Sequence, residues 1–166
     1  MTLHALFGDN VEAPKRIKFK QIKAVYETLK VNEDVDEYFA KGQRYTAPTQ
    51  VYEAFKFLMQ ETKEMFITLH LNGKNSIICI DLVSVGSLNQ SIVHPREVFK
   101  TALLSNAASV LLIHQHPTGD STPSREDIEI TKRLREAGEL LGIKVLDHII
   151  LLRQLNMSFI KYPDIC

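Results

Sequence analysis

The sequence predicts an α/β domain in which helices flank a mixed β-sheet. Helix-like and strand-like segments alternate along the chain beyond Pro48, and such alternation favours parallel strands joined by helical crossovers. One pair of strand-like segments is joined instead by a short turn containing Asn72-Gly73, a dipeptide typical of antiparallel hairpins. With 166 residues, 45% of them hydrophobic, the chain can bury the core of one domain.

The chain is expected to divide into an N-terminal arm or helical extension, residues 1–45, and one larger domain, residues 46–166. In the arm, one helix is expected from Phe19 to Leu29. The domain is expected to open with a helix from Pro48 to about Gln60, because proline suits a first turn. Its apolar stripe comprises Val51, Phe55 and Leu58.

Two strands and a helix are expected next. The strands, Met65 to Leu71 and Ser76 to Leu82, are rich in apolar and β-branched residues and flank the Asn-Gly turn. The helix, Pro95 to Ala107, starts with a proline. Its inward-facing residues are predicted to be Val98, Ala102 and Leu103.

The second half of the domain is expected to repeat a strand, helix and strand. Val110 to Ile113 is a short apolar run that suits a buried strand, although its length also allows a helix. After Pro123 a helix begins, and Gly142 ends it. Its predicted apolar stripe comprises Ile130, Leu134, Ala137 and Leu141. The final strand is expected over Ile143 to Leu152.

Two histidines follow the Val110 to Ile113 run and point to metal chemistry. On a strand, side chains alternate between faces, so His114 and His116 share one face and Gln115 points away. Asp127 falls in the first turn of the next helix, close to where the chain folds back. Two imidazoles and a carboxylate suit Zn²⁺, and catalytic zinc sites use three protein ligands.

The segment from Ser124 to Asp127 also has a purely structural interpretation. A hydroxyl residue followed three positions later by an acidic residue is typical of a helix N-terminus, where the two side chains satisfy free backbone amides. Both interpretations can hold, since Ser124 can cap the helix and still direct its hydroxyl to the site.

These residues resemble a known metalloprotease motif. His114-x-His116-Pro, followed by Ser124 and Asp127, resembles the JAMM motif of the JAB/MPN superfamily. The longer string is more similar to the RadC family, long labelled DNA repair proteins. Its further elements are Pro95-Arg96-Glu97, Pro123-Ser124, Thr131 and Asp147-His148-Ile149-Ile150, within roughly Pro48 to Phe159. The resemblance implies the JAB/MPN, cytidine deaminase-like architecture.

The resemblance also implies a zinc-dependent peptidase or isopeptidase acting on a peptide or protein. His114, His116 and Asp127 match the metal ligands, and Ser124 matches the serine that stabilises the oxyanion. The family also needs a glutamate that exchanges protons with the attacking water. Glu64, at the head of the first strand, matches best, and Glu61 and Glu97 are its rivals.

Other positions near the motif admit two interpretations each. Gln115 stands where the family usually has asparagine, but it should point away from the metal. Asp147 and His148 are interpreted either as a pair that orients a ligand or as a hydrogen-bonded structural pair. His70 could face the site, although a half-buried strand histidine is the simpler interpretation.

Composition excludes several alternatives. No His-Glu-x-x-His is present, and Cys79 and Cys166 stand alone, which excludes thermolysin-like, deaminase and zinc-finger sites. Isolated cysteines and the lack of an apolar stretch of roughly 18 residues predict a cytoplasmic protein with no membrane partner.

An alternative function is a DNA-associated accessory protein with a structural or vestigial metal site. Its candidate contacts are five basic residues of the arm: Lys15, Arg16, Lys18, Lys20 and Lys23. A solvated basic face beside an acidic one explains the same residues. Many relatives carry a helix-hairpin-helix module before the metal domain, but no Gly-x-Gly hairpin precedes Pro48, so a short form is expected.

Overall fold

A five-stranded mixed sheet forms the centre of the domain. The computed structural model describes residues 23, 25–27, 44–86, 93–116 and 123–151, and the backbone of 157–159. The strands are β1 (Met65–Leu71), β2 (Ile77–Val85), β3 (Ser109–Gln115), β4 (Lys144–Leu151) and β5 (Met157–Phe159). The helices are α1 (Pro48–Phe55), a 3₁₀ helix (Lys56–Gln60), α2 (Pro95–Leu104) and α3 (Arg125–Leu141).

The strand order is β2-β1-β3-β4-β5, and both pairing directions occur in it. β1 runs antiparallel to β2 and to β3, and β4 runs antiparallel to β5. β3 and β4 are parallel, with α3 as the crossover between them. This confirms the predicted α/β class with a mixed sheet.

Helices cover both faces of the sheet, and each face has its own core. One core lies under α1 and the 3₁₀ helix and includes Val51, Phe55, Leu69, Leu111 and Ile149. The other lies under α2 and α3 and includes Phe66, Phe99, Val110, Leu112 and Leu134. Because β3 is buried on both faces, it reads as a continuous apolar run rather than an alternating one.

The prediction that Leu103 and Leu141 face inward is wrong. Leu103 is 50% exposed and Leu141 is 44% exposed, each at or next to the last residue of its helix. Phe99 and Gly138 are buried instead. The predicted first helix also ends early, because the chain tightens into the 3₁₀ helix after Phe55, although Val51, Phe55 and Leu58 are all buried as expected.

The β1-β2 hairpin is confirmed, but its turn chemistry differs from the prediction. The Asn72 side-chain oxygen accepts hydrogen bonds from the amides of Lys74 and Ser76, which closes a five-residue connection. Asn75, with φ of 61°, adopts the left-handed conformation that a tight Asn-Gly turn would have required of Asn72 and Gly73. Asparagine tolerates this conformation because its short side chain bonds locally.

Of the N-terminal arm, the structure describes Lys23, residues 25–27, Arg44 and Tyr45. Lys23 and residues 25–27 are exposed and not helical, which disagrees with the helix predicted over this segment. The remainder of that helix lies outside the described residues. In the part of the chain that the structure describes, no helix has the length and apolar character needed to cross a membrane.

Gly138 allows α3 to approach the strand that follows it. A Cβ at this position would lie 2.4 Å from the backbone oxygen of Ile143 and 3.2 Å from the Phe99 ring. Alanine usually stabilises a helix relative to glycine by about 1 kcal/mol. We expect Gly138→Ala to lower the free energy of unfolding by about 1–3 kcal/mol instead, because the obstructing atom is backbone and cannot move freely.

Urea unfolding of the Gly138→Ala protein and of a control variant would check this expectation. Gly73→Ala is the matched control, because nothing lies within 4 Å of the added carbon. A Gly138→Ala protein as stable as the Gly73→Ala protein would show that the helix and the Ile143 segment separate at little cost.

Candidate metal centre

The carboxyl end of β3 carries the two predicted imidazoles. His114 is the penultimate residue of the strand and is 2% exposed, and His116 follows the last one. Gln115 points to the opposite face, where its side-chain nitrogen donates to the carbonyl of Glu61 at 3.2 Å. The predicted alternation of side chains is therefore confirmed. Glutamine in place of the family's usual asparagine does not affect the metal centre, because this side chain points away from it.

The N-terminus of α3 brings the third group. Ser124 is the N-cap of the helix, and its hydroxyl oxygen accepts from the Asp127 amide at 3.1 Å. In return, Asp127 Oδ2 accepts from the Ser124 amide at 2.8 Å and from the Ser124 hydroxyl at 2.5 Å. The capping interpretation is thus correct, and it also fixes the direction of the Asp127 carboxylate.

The three candidate ligands come together in space. His114 Nδ1 lies 2.9 Å from Asp127 Oδ1, and His116 Nε2 lies 3.4 Å from Asp127 Oδ2. One donor atom from each of the three residues falls within 4.8 Å of the other two. In a tetrahedral zinc site with bonds of about 2.0–2.1 Å, neighbouring ligand atoms stand roughly 3.3 Å apart. The donor set and its spacing therefore fit a divalent metal.

Electrostatics keep Asp127 ionised despite its burial. Burial by itself raises the pKa of this carboxyl, but hydrogen bonds from His114, His116 and Ser124 outweigh it and hold the pKa well below its usual range. The residue is only 4% exposed. A buried carboxylate that stays charged at neutral pH is ready to bind a cation.

His114 has a second, unsatisfied nitrogen. Its Nε2 is buried and makes no hydrogen bond to any residue that the structure describes. Buried polar atoms are nearly always paired, so an exception calls for a partner such as water or an ion. The nitrogen in contact with Asp127 is Nδ1, so the fit of the three candidate ligands rests on that atom and not on Nε2.

Glu64 precedes β1 at the end of the sheet that carries the candidate ligands. It immediately precedes Met65, which pairs with Gln115, so it reaches the same end of the sheet as His116. Alternation puts Glu64 on the face of Phe66, whose ring centroid is 5.8 Å from that of His114. The Glu64 carbonyl accepts from the Gly86 amide at 2.9 Å, which anchors the backbone at this point.

The rival glutamates have other surroundings. Glu61 is exposed, and its carbonyl binds Gln115 on the face that points away from the metal centre. Glu97 lies in the first turn of α2, where its carboxylate pairs with Lys100 at 2.7 Å and with Arg96 at 3.3 Å. These surroundings favour Glu64.

Asp147 and His148 do not act as a pair of neighbouring site groups. Asp147 accepts from the Tyr45 hydroxyl at 3.2 Å, on the face away from the metal centre, and from its neighbour's amide. His148 is fully buried on the site's face and its ring stacks on that of His114, with centroids 6.2 Å apart. Burial and the nearby His114 lower the pKa of His148 to about 3, so the ring is neutral at neutral pH.

His70 does not join the centre. It is fully buried rather than half-buried, and its nitrogens contact Thr68 Oγ1 at 3.2 Å and Ser105 Oγ at 2.8 Å. Burial lowers its pKa, which favours a neutral ring. It is a satisfied core histidine on the same face of β1 as Phe66, near the other end of that strand.

Two residues of the site had no role assigned from the sequence. Phe66 contacts both buried imidazoles, with ring centroids 5.8 Å from His114 and 5.6 Å from His148. Thr131 joins α3 to His148 through its hydroxyl. Each could have been found from the sequence. Phe66 lies two positions after Glu64, and therefore on the same face of the strand, and Thr131 lies one helical turn after Asp127.

Fold and site together define an α/β domain with a candidate divalent-metal centre between the end of a strand and the start of a helix. The chain belongs to the RadC family: a family model described as the RadC-like JAB domain matches residues 45–163.

Curated relatives agree with this assignment. A UPF0758 protein of Geotalea uraniireducens is 58% identical over 127 residues, which are 76% of this chain and 54% of the relative. A UPF0758 protein of Methanosarcina mazei is 48% identical over 137 residues, 82% of this chain and 59% of the relative. The chain spans about half the length of the curated relatives it matches, and their names state no reaction.

Proposed function

We propose that this domain is a zinc-dependent hydrolase that cleaves amide or isopeptide bonds in a peptide or protein. The observation that carries the proposal is the convergence of two histidine nitrogens and a charged carboxylate within 4.8 Å. His114, His116 and Asp127 would hold the metal, a set of three protein ligands of the kind that catalytic zinc sites use. When bound, zinc supplies Lewis acidity and lowers the pKa of water to about 7.

The chain's own residues supply the remaining steps. Glu64, beside His116 at the head of β1, accepts the proton of the attacking water and returns it to the leaving amine. The Ser124 hydroxyl donates to the oxyanion of the tetrahedral intermediate. In the structure the Ser124 hydroxyl donates to Asp127 Oδ2. To donate to the oxyanion instead, the hydroxyl must rotate about the Cα–Cβ bond or the C–O bond of Ser124.

The DNA-associated alternative has no supporting contact in the described structure. Lys23 is exposed, and Lys15, Arg16, Lys18 and Lys20 lie outside the described residues. Contact between these residues and DNA stays a prediction, and we expect it to weaken steeply with added salt if it occurs.

Metal analysis of the purified protein tests the proposal. We expect close to one zinc ion per chain after dialysis against zinc-containing buffer, and hydrolysis of a fluorogenic peptide library that stops when a chelator removes the metal. Restoring zinc should restore turnover. A chain that takes up no zinc under these conditions, or a zinc-loaded chain with no hydrolysis of peptides or isopeptide-linked conjugates, would contradict the proposal.

A further inference from the structure

Two buried imidazoles connect the sheet to α3, one helical turn apart. His114, on β3, contacts the side chain of Asp127, and His148, on the neighbouring strand β4, contacts the side chain of Thr131 at 2.6 Å. Residues four apart on a helix lie on the same face. The rings are nearly parallel, at 15° with centroids 6.2 Å apart, so both reach the helix from adjacent strands in the same manner.

The hydrogen-bond direction at the second contact follows from counting protons. The Thr131 hydroxyl oxygen lies 2.5 Å from the Asp127 carbonyl oxygen, which can only accept. The single hydroxyl proton therefore goes to that carbonyl, and His148 Nδ1 must donate to the Thr131 oxygen. The result is a continuous chain of donors from β4 through Thr131 to the backbone of Asp127.

We propose that His148 and Thr131 are positioning residues that hold Asp127 at the distance from His114 and His116 that metal binding requires. The inference rests on the proposed metal-binding function. It assigns the polar contact between β4 and α3 to the metal centre rather than to the general stability of the core. The contacts of the Asp127 carboxylate with Ser124 do not fix this distance, because Ser124 belongs to the same helix N-terminus.

The contact between Thr131 and His148 adds a directional bond to the packing of α3 on the sheet. Thr131 and His148 are both fully buried among apolar residues such as Phe66 and Leu134. An apolar pair of the same size could fill this space, but apolar contacts tolerate small shifts along the helix axis. A buried hydrogen bond specifies one arrangement, since sliding the helix would leave both polar groups without partners.

Variants of Thr131 provide the test. Thr131→Val keeps the shape and removes the hydroxyl, and Thr131→Ser keeps the hydroxyl and removes a methyl group. We expect Thr131→Val to weaken zinc binding roughly 10-fold, the lower end of what loss of an outer hydrogen bond to a metal site costs. We expect Thr131→Ser to bind zinc as the unmodified chain does. Zinc affinity would be measured by competition with a chromophoric chelator.

Stability measurements separate positioning from a merely structural role. The unfolding midpoint of each metal-free variant would be recorded, and affinities compared only where the chain is folded. His148→Phe, alone and combined with Thr131→Val, completes a double-mutant cycle, and we expect the double variant to lose no more affinity than either single one.

Three outcomes can be told apart. Weakened zinc binding in Thr131→Val with rescue in Thr131→Ser supports the inference. Lower stability in Thr131→Val at unchanged zinc affinity overturns it and leaves the proposed function standing. An unmodified chain that binds no zinc contradicts the proposed function itself, and with it the inference.

Discussion

Replacing His116 by alanine is expected to abolish zinc binding at micromolar metal while leaving the domain folded. The variant removes one of three candidate ligands, and we expect the zinc affinity to fall by more than the roughly 100-fold that loss of a strong outer-shell contact can cost. His116 lies just after the last residue of β3, so its side chain is not part of the strand, and it is 12% exposed. The change should therefore affect the metal more than the fold.

Thermal unfolding with and without zinc checks this expectation. A ligand at 100 times its Kd stabilises a protein by about 2.7 kcal/mol, so zinc should raise the melting temperature of the unmodified chain and not that of His116→Ala. His94→Ala is the matched control. His94 caps α2 by accepting from the Arg96 amide at 3.3 Å, so its loss should lower stability while the zinc-dependent rise remains. A zinc-dependent rise in His116→Ala equal to that of the control would rule His116 out as a ligand.

The sequence predicted the strands and helices well where periodicity and breakers agree. Gly142 ends α3 in the left-handed conformation, and the apolar run from Val110 is a strand buried on both faces. The errors occur where tertiary contacts decide. Leu141 satisfies the helical stripe, yet it is the last residue of α3 and is 44% exposed.

The candidate site was predictable because its parts are close in sequence or on paired strands. His114 and His116 lie at the end of β3, and Ser124 and Asp127 lie at the start of α3, the next described element, so alternation and capping rules place each pair. The contact between His148 and Thr131 depends on which strand lies beside β3 and on the register of α3 against it. Local patterns carry no information on that register. Strand alternation puts Asp147 and His148 on opposite faces, but it does not say which of the two meets α3.

Replacing Glu64 by glutamine is expected to remove hydrolysis and keep the metal. Glutamine has nearly the same shape but cannot accept and return a proton at neutral pH, and a general acid/base contributes about 10²–10⁴-fold to a rate. Glu64 precedes the β1 residue that pairs with Gln115, which puts it at the His116 end of the sheet. We therefore expect kcat to fall by roughly 10²–10⁴-fold at unchanged zinc content.

The rival carboxylates supply controls that differ from Glu64 in position alone. Glu61→Gln and Glu97→Gln make the same chemical change, at an exposed residue and at one already paired with Lys100. Both should retain zinc and nearly full turnover, because neither carboxylate is needed for the proton transfer. Full turnover in Glu64→Gln together with lost turnover in Glu97→Gln would contradict this prediction. It would identify Glu97, at the start of α2, as the general base instead of Glu64.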